Sequence, residues 1–297
     1  ATVNPYIKHD AQPLGHVQDI FDSLQDATTL SLFDACSGYW QLLLREQDRH
    51  LTAFSDGDSL LQFTRCPFGL ATSGSMFVRV MERILRRDEH GPLLHNVIEL
   101  WVDDGCIHTN QDQDHIDETA RVLKQLWRNN VSVKLSKCTW GTDEVDLIGH
   151  HVKCGSGVST DTKKVEDIAA MKRPHNMQTL HSFLGSCVYL ARFAKDFAEL
   201  TGPLYEVLKA KKSPNAEITE AMWTVQCERA FKTIKAALAS SPVLAFPDFT
   251  APYIILCDCS KSQLGGALIQ LGKDGRERVI AYTSKRLNKT QLGYGVT

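Results

Sequence analysis

Three aspartates stand where apolar runs end. Residues 97–109, VIELWVDDGCIHT, break at Asp103-Asp104-Gly105 and resume at Cys106-Ile107-His108. That pattern predicts two short strands joined by a tight turn, with the glycine supplying the turn conformation. Two adjacent carboxylates repel each other unless a cation sits between them. An ordinary solvated turn uses the same Asp-Asp-Gly residues, so the stretch alone leaves both readings open. A third carboxylate, Asp34, closes the apolar run Leu30-Ser31-Leu32-Phe33. If the strands are neighbours in one sheet, the three carboxylates converge. Such a cluster can hold two Mg²⁺ roughly 4 Å apart, the arrangement for in-line phosphoryl or nucleotidyl transfer. One ion would acidify an attacking hydroxyl, and both would stabilise charge on the transferring phosphate.

The elements that must position these groups follow from periodicity. Residues 17–24 have the spacing of a short amphipathic helix, and 30–34 read as a buried strand. Residues 54–63 predict a hairpin around Ser55-Asp56-Gly57-Asp58, and Cys66-Pro67-Phe68-Gly69-Leu70 a loop. A helix is predicted over 73–87, with Arg79, Arg83 and Arg86/Arg87 in one basic stripe that suits either phosphates or plain solvent. After the Asp-Asp hairpin a helix begins at 112, followed by strands at 131–140 and 145–152. Beyond the turn Gly155-Ser156-Gly157 the pattern becomes helical, over 161–171, 177–193, 201–211 and 224–239. Thr201 is read as capping the third of these, with Pro203 in its first turn. From Pro252 a small meander starts, with strands at 253–258, 264–271 and 279–283 and a turn at Asp274-Gly275. The fold class is therefore α+β.

The composition is that of a globular chain: 297 residues, 43% hydrophobic and 23% charged. No apolar run reaches the roughly 18 residues that span a membrane, so no membrane partner is expected. Nine cysteines occur without a C-x-x-C, which points to free thiols rather than disulfides or zinc. Residues 1–150 hold 13 Lys+Arg against 22 Asp+Glu, and residues 151–297 hold 20 against 13. An acidic first half suits cation binding and a basic second half a phosphate backbone, although solvated surfaces divide charge in the same way.

Several blocks then fall in a telling order: Phe33-Asp34 with Ser37-Gly38-Tyr39-Trp40-Gln41, Cys66-Pro67-Phe68-Gly69-Leu70, Trp101-Val102-Asp103-Asp104, and Leu147-Ile148-Gly149-His150. In order and spacing these resemble the reverse transcriptases of gypsy-class LTR retrotransposons. Phe183-Leu184-Gly185 with Tyr189, Arg192 and Phe193 is similar to their thumb segment. Ala230-Phe231-Lys232, Pro242-Val243-Leu244 and Pro247-Asp248-Phe249 resemble the passage into their RNase H domain. The resemblance covers essentially the whole chain. It implies a right-hand polymerase palm and fingers over 1–155, a mostly helical thumb and connection over 156–240, and a partial RNase H-like domain over 241–297.

The resemblance also implies roles. Asp34, Asp103 and Asp104 match the catalytic, metal-binding triad, for two Mg²⁺ with Mn²⁺ as an alternative. Tyr39 matches the aromatic gate whose ring excludes a ribonucleotide 2′-hydroxyl; a core tyrosine on a helical turn is the bland reading. Phe68 and Gly69 match the loop against the incoming nucleotide, and Lys137 a lysine near the triphosphate. Leu147, Gly149 and His150 match the hairpin that grips the primer end. Asp258 matches the first RNase H carboxylate, whose next partner, a Glu after Tyr294, would lie beyond Thr297. RNase H activity is therefore not expected of this stretch alone.

The implied activity is RNA-directed DNA polymerisation, adding dNTPs to a DNA or tRNA primer on an RNA or DNA template. The setting is a Pol polyprotein with protease, the rest of RNase H and integrase, in a cytoplasmic virus-like particle or the nucleus. The basic fingers segment would precede Ala1, so the chain reads as a piece cut at both ends. Two blocks depart from the family pattern. Residues 72–78 keep only Phe77 of its usual Asn-Ala-Pro-Ala-Thr-Phe-Gln, and Trp101 replaces a Tyr. They fit a divergent lineage or decay of an inactive copy; the 72–78 block favours the alternative, a catalytically decayed nucleic-acid-binding remnant, and the survival of all three carboxylates speaks against it.

Overall fold

A computed structural model describes residues 3–8, 15–210, 213–260, 263–288 and 290–293. Lys211 and Tyr294 lie outside these residues. The chain divides into two compact units, Ala1–Ile148 and Gly149–Thr297.

The first unit is organised on β1 (Thr29–Asp34). Before it comes α1 (Val17–Ser23); after it come the small hairpin β2 (Phe54–Ser55) and β3 (Leu60–Leu61), and α2 (Ser73–Leu85). β4 (Arg87–Asp88) and β5 (Gly91–Pro92) form a second small hairpin. They lead to β6 (Ile98–Trp101), β7 (Asp104–Thr109), α3 (Asp112–Arg128), β8 (Thr139–Thr142) and β9 (Glu144–Leu147). The main sheet runs β6-β7-β1-β8, with β1 antiparallel to both neighbours. Ile98 and Ile107 pair across β6 and β7 and enter the core with Phe33, while the next pair, Glu99 and Cys106, points to the other face. α2 buries Phe77, Val78, Met81 and Leu85, and α3 buries Val122 and Leu126. A fully buried side chain of this size contributes roughly 1.5–3 kcal/mol, so these faces, more than helix propensity, hold α2 and α3 in place. His115 on α3 ties the helix to the sheet, 2.7 Å from Ser31 Oγ and 2.9 Å from Thr109 Oγ1.

Two expectations fail in this unit. Residues 131–140 are not one strand. Val133 makes a single bridge to Ala35, the chain turns at Leu135–Lys137, and β8 begins only at Thr139. Lys134 N donates to Asp34 O at 2.9 Å, so contact with β1 interrupts the apolar alternation. Residues 145–152 are two strands, because Ile148 and Gly149 both take positive φ, 50° and 63°. Consecutive left-handed residues reverse a chain tightly.

The second unit holds β10 (His150–Lys153), β11 (Gly157–Thr160), α4 (Thr162–Ala170), α5 (Met177–Tyr189), α6 (Phe197–Ala210) and α7 (Val225–Ala239). β12 (Ile254–Cys259), β13 (Gln263–Leu271) and β14 (Glu277–Arg286) complete it. β10 and β11 pair antiparallel, and β12-β13-β14 is an antiparallel meander. Leu244 joins the two sheets: it exchanges hydrogen bonds of 2.8 Å with Val158, and Ala245 N donates to Val279 O at 2.8 Å. A side chain on Gly157 would strike the Leu244 carbonyl. The helices carry the caps their sequences call for: Asp161 on α4, a capping box of Asn176 and Thr179 on α5, and Thr224 on α7.

α6 contradicts the sequence reading. It starts at Phe197, so Thr201 is an interior residue, fully buried, donating to Phe197 O at 2.7 Å. Pro203 lies inside the helix rather than in its first turn. Burial of Phe197, Thr201, Leu204 and Val207 along one face outweighs the backbone bond that the proline forfeits.

Candidate active site

The antiparallel register of β1 and β7 sets Asp34 opposite Asp104, at the end of the same ladder that pairs Phe33 with Gly105. Trp101 pairs with Asp104, so the hairpin turn consists of Val102 and Asp103 alone. Gly105 therefore does not supply the turn conformation. Val102 does, at φ 54°, a region costly for a β-branched side chain. Gly105 lies in β7, where a Cβ would clash with the Phe33 ring. Ala35 N donates to Asp103 O at 3.2 Å, fastening the turn to the end of β1. The register thus sets the three aspartates at one end of the sheet, on two strand ends and one strained turn.

Their electrostatics are those of a cluster lacking enough positive charge. Burial, then the charge of Asp34, raises the Asp103 pKa above the ordinary carboxylate value. Asp103 Oδ1 is buried and has no hydrogen-bond partner. Asp104 is raised for the same reasons, with Asp103 adding to the repulsion. Its side chain reaches solvent, yet close packing strips enough water from the carboxylate to disfavour its charge. Lys137 Nζ offsets this in part, 2.7 Å from Asp34 Oδ2.

Among the described residues, no three His, Cys, Asp or Glu side chains already converge as a metal centre would. The donor set nevertheless fits a divalent cation: three hard carboxylates, one with an orphaned buried oxygen.

One side of the site is aromatic. Gly38 lies against Phe77 and Asp103; a Cβ there would come within 2.8 Å of the Phe77 ring and 3.1 Å of Asp103 Oδ1. That close approach carries Tyr39 to the carboxylates. Burial, then Asp103, raises its hydroxyl pKa. The Tyr39 ring lies 5.3 Å from Phe68 and 5.9 Å from Phe77. Phe68 is exposed, and Gly69 beside it takes φ 90°. Residues 72–78, the divergent block, build the start of α2 and place Phe77 in this contact.

Two residues the sequence reading passed over support the site. Asn4 Nδ2 donates to Gly69 O at 2.8 Å, and its Oδ1 accepts Ala71 N at 3.0 Å. Nothing in the sequence marks it. Gln41 sits within the quoted Ser37–Gln41 block, but its hydrogen bonds reach a segment 91 residues away.

The remaining candidates belong to β9, the turn after it and the second unit. Leu147 is buried at the end of β9, and Gly149 sits in the turn that follows. His150 is buried as well, its ring 5.0 Å from Tyr189 and 5.5 Å from Phe193, and Tyr189 Oη is 3.3 Å from His150 Nδ1. Asp258 is on the exposed strand β12, paired with Gly265 and lining an apolar concavity of about 500 Å³ on the meander. Its lining offers little polar chemistry. Among the described residues, none of the nine cysteines forms a disulfide. Among the described residues, no helix is long and apolar enough to cross a membrane.

The antiparallel sheet bearing Asp34, Asp103 and Asp104, with Tyr39, Phe68 and Phe77 beside it, points to one class of protein. The chain belongs to the reverse transcriptase family: residues 2–152 match the model for "reverse transcriptase (RNA-dependent DNA polymerase)", and residues 223–297 the model for an "RNase H-like domain found in reverse transcriptase". Among its relatives is a retrovirus-related Pol polyprotein from transposon opus of Drosophila melanogaster. It is 32% identical over 292 residues, covering 96% of this chain and 28% of the relative. The Tf2-3 transposon polyprotein of Schizosaccharomyces pombe is 27% identical, covering 99% of this chain and 21% of that one. The chain thus spans less than a third of either polyprotein. Two solved structures share the fold. A foamy viral protease-reverse transcriptase with an RNA/DNA hybrid matches at TM-score 0.82 and 23% identity, covering 99% of this chain and 38% of that chain. A second, with double-stranded DNA, matches at 0.84 and 23%, covering 99% and 49%.

Proposed function

We propose that this chain carries the polymerase centre of an RNA-directed DNA polymerase, which adds dNTPs to a primer 3′-hydroxyl on an RNA or DNA template. The observation that carries the reading is the register Asp34 opposite Asp104, with Asp103 in the turn beside Tyr39. Asp34, Asp103 and Asp104 would hold two Mg²⁺, which supply an acidified 3′-hydroxyl and neutralise charge on the transferred phosphate. Tyr39, backed by Phe68 and Phe77, fills the space a ribonucleotide 2′-hydroxyl requires. Phe68 and Gly69 form the loop against the base pair, and Lys137 offers its ammonium to the triphosphate. Since Leu147 and His150 are buried, the primer end is gripped by the backbone of the turn at Gly149 rather than by those side chains.

Residues 1–155 act as palm and fingers, 156–240 as thumb and connection, and 241–297 as RNase H-like, with Asp258 its matched carboxylate. The partners are a template, a DNA or tRNA primer, dNTPs and the rest of a Pol polyprotein, within a virus-like particle or the nucleus. RNase H cleavage is not proposed for these residues by themselves.

The test is Mg²⁺-dependent extension of a DNA primer on an RNA template, using the polypeptide that carries this chain beside its Asp103→Asn form. Extension by the parent and none by the variant supports the reading. A folded parent that binds the hybrid and extends nothing turns the reading toward a non-catalytic remnant.

A further inference from the structure

Gln41 closes the short turn Gly38–Gln41 that presents Tyr39. Its side-chain amide makes three hydrogen bonds: Nε2 donates to Cys36 O at 2.6 Å and to Ser132 O at 2.9 Å, and Oε1 accepts Ser132 N at 2.7 Å. The paired bonds to Ser132 reproduce, with a side chain, the exchange that two strands make across a ladder. Cys36 N adds its own bond to Ser132 O at 2.9 Å. Immediately beyond lie the bridge of Val133 to Ala35 and the bond from Lys134 N to Asp34 O. The chain then turns at Leu135–Lys137 and brings Lys137 Nζ onto Asp34. One amide therefore ties the turn bearing the sugar gate to the segment bearing the cation on the first carboxylate.

We propose that Gln41 is a positioning residue of the nucleotide site, fixing Tyr39 and Lys137 in one frame so that sugar selection and triphosphate placement are set together. The inference rests on the polymerase reading above. Only an amide meets the requirement, because the same side chain must donate to carbonyls and accept from an N–H. Gln41→Glu keeps the size and the acceptor but turns a carboxylate toward two carbonyl oxygens. Gln41→Met removes all three bonds at similar length.

The experiment compares wild type, Gln41→Glu and Gln41→Met in the polypeptide that carries this chain. Its readouts are the ratio of kcat/KM for dNTP over NTP, the split between KM and kcat, and hydrogen exchange over residues 131–137. Exchange over that segment is expected to rise in both variants. Discrimination against ribonucleotides should fall roughly tenfold, with dNTP KM changing more than kcat, the scale expected when a positioned group shifts by a fraction of an ångström. A plain loss of stability leaves the sugar ratio untouched. If Gln41→Met does not fold, Gln41→Asn, which keeps the amide but shortens its reach by one methylene, carries the same measurement. Folded variants with unchanged sugar ratio overturn the inference and leave the polymerase reading standing. A wild type that extends no primer overturns both.

Discussion

Lys137 Nζ meets Asp34 Oδ2 at 2.7 Å across 103 residues of sequence. The bond raises the lysine pKa, so the ammonium is charged throughout the physiological range and shares Asp34 with any cation drawn to the carboxylates. Binding of one positive group to Asp34 must then weaken binding of another.

Lys137→Met is accordingly expected to change two quantities in opposite directions. Mg²⁺ affinity, followed by the fluorescence of Trp101 two residues from Asp103, should rise roughly five- to tenfold as the competing ammonium is lost. Primer extension should slow by about tenfold or more, because the triphosphate loses a counter-charge. An affinity that falls with the activity would show that the lysine assists the cation instead of competing with it.

Asp103 combines an unpartnered buried oxygen with a raised pKa. Removing its charge relieves repulsion with Asp34 and Asp104. Asp103→Asn should therefore be more stable to urea by about 0.5–2 kcal/mol while extension drops at least about 10²-fold. Destabilisation together with lost activity would mean that the carboxylate is a structural partner.

The Asp-Asp hairpin makes a pair of predictions that the sequence alone would reverse. Gly105→Ala drives a methyl group against the Phe33 ring and should destabilise the first unit by about 1–3 kcal/mol. Val102→Asn puts a residue tolerant of positive φ where a β-branched one is strained, and should gain about 1 kcal/mol. Thermal unfolding of both variants decides the matter, and a turn built on Gly105 would give the opposite order.

His108 governs the acid response of the same unit. Burial, with repulsion from His115, lowers its pKa from 6.5 to about 4. Below pH 6.5 the unfolded chain takes up a proton that the folded chain refuses, so stability falls with pH from 6.5 down to about 4. The ceiling is about 3 kcal/mol. Glu99, whose Oε1 lies 3.9 Å from His108 Nε2, works the other way. Its pKa is raised by burial, so acidification removes a cost in the folded state, and the net loss stays below that ceiling. Urea midpoints between pH 7 and pH 4 should slope in wild type and slope less in His108→Leu, where His115, its pKa also lowered by burial, keeps part of the dependence. An equal slope in both would place the acid-sensitive group elsewhere.

Local chemistry determined much of this protein. Apolar periodicity gave β1, α1, α2, α3 and α7, because one buried face imposes its spacing on the residues. The ordered blocks around Asp34, Tyr39, Phe68 and Asp103 were enough to indicate a polymerase. What the tertiary structure decided is where segments distant in sequence meet. Contact with β1 broke the run at 131–140 and delivered Lys137 to Asp34. The Phe33 ring, not a turn, required Gly105. Burial of Phe197 against its neighbours drew α6 past the cap expected at Thr201. Asn4 and Gln41 act through amides whose partners are backbone atoms far along the chain, and a backbone N–H or carbonyl leaves no mark in the residue letters. Residue spacing encodes which side chains share a face; only packing decides which face meets which, and so where charge and hydrogen bonds are finally satisfied.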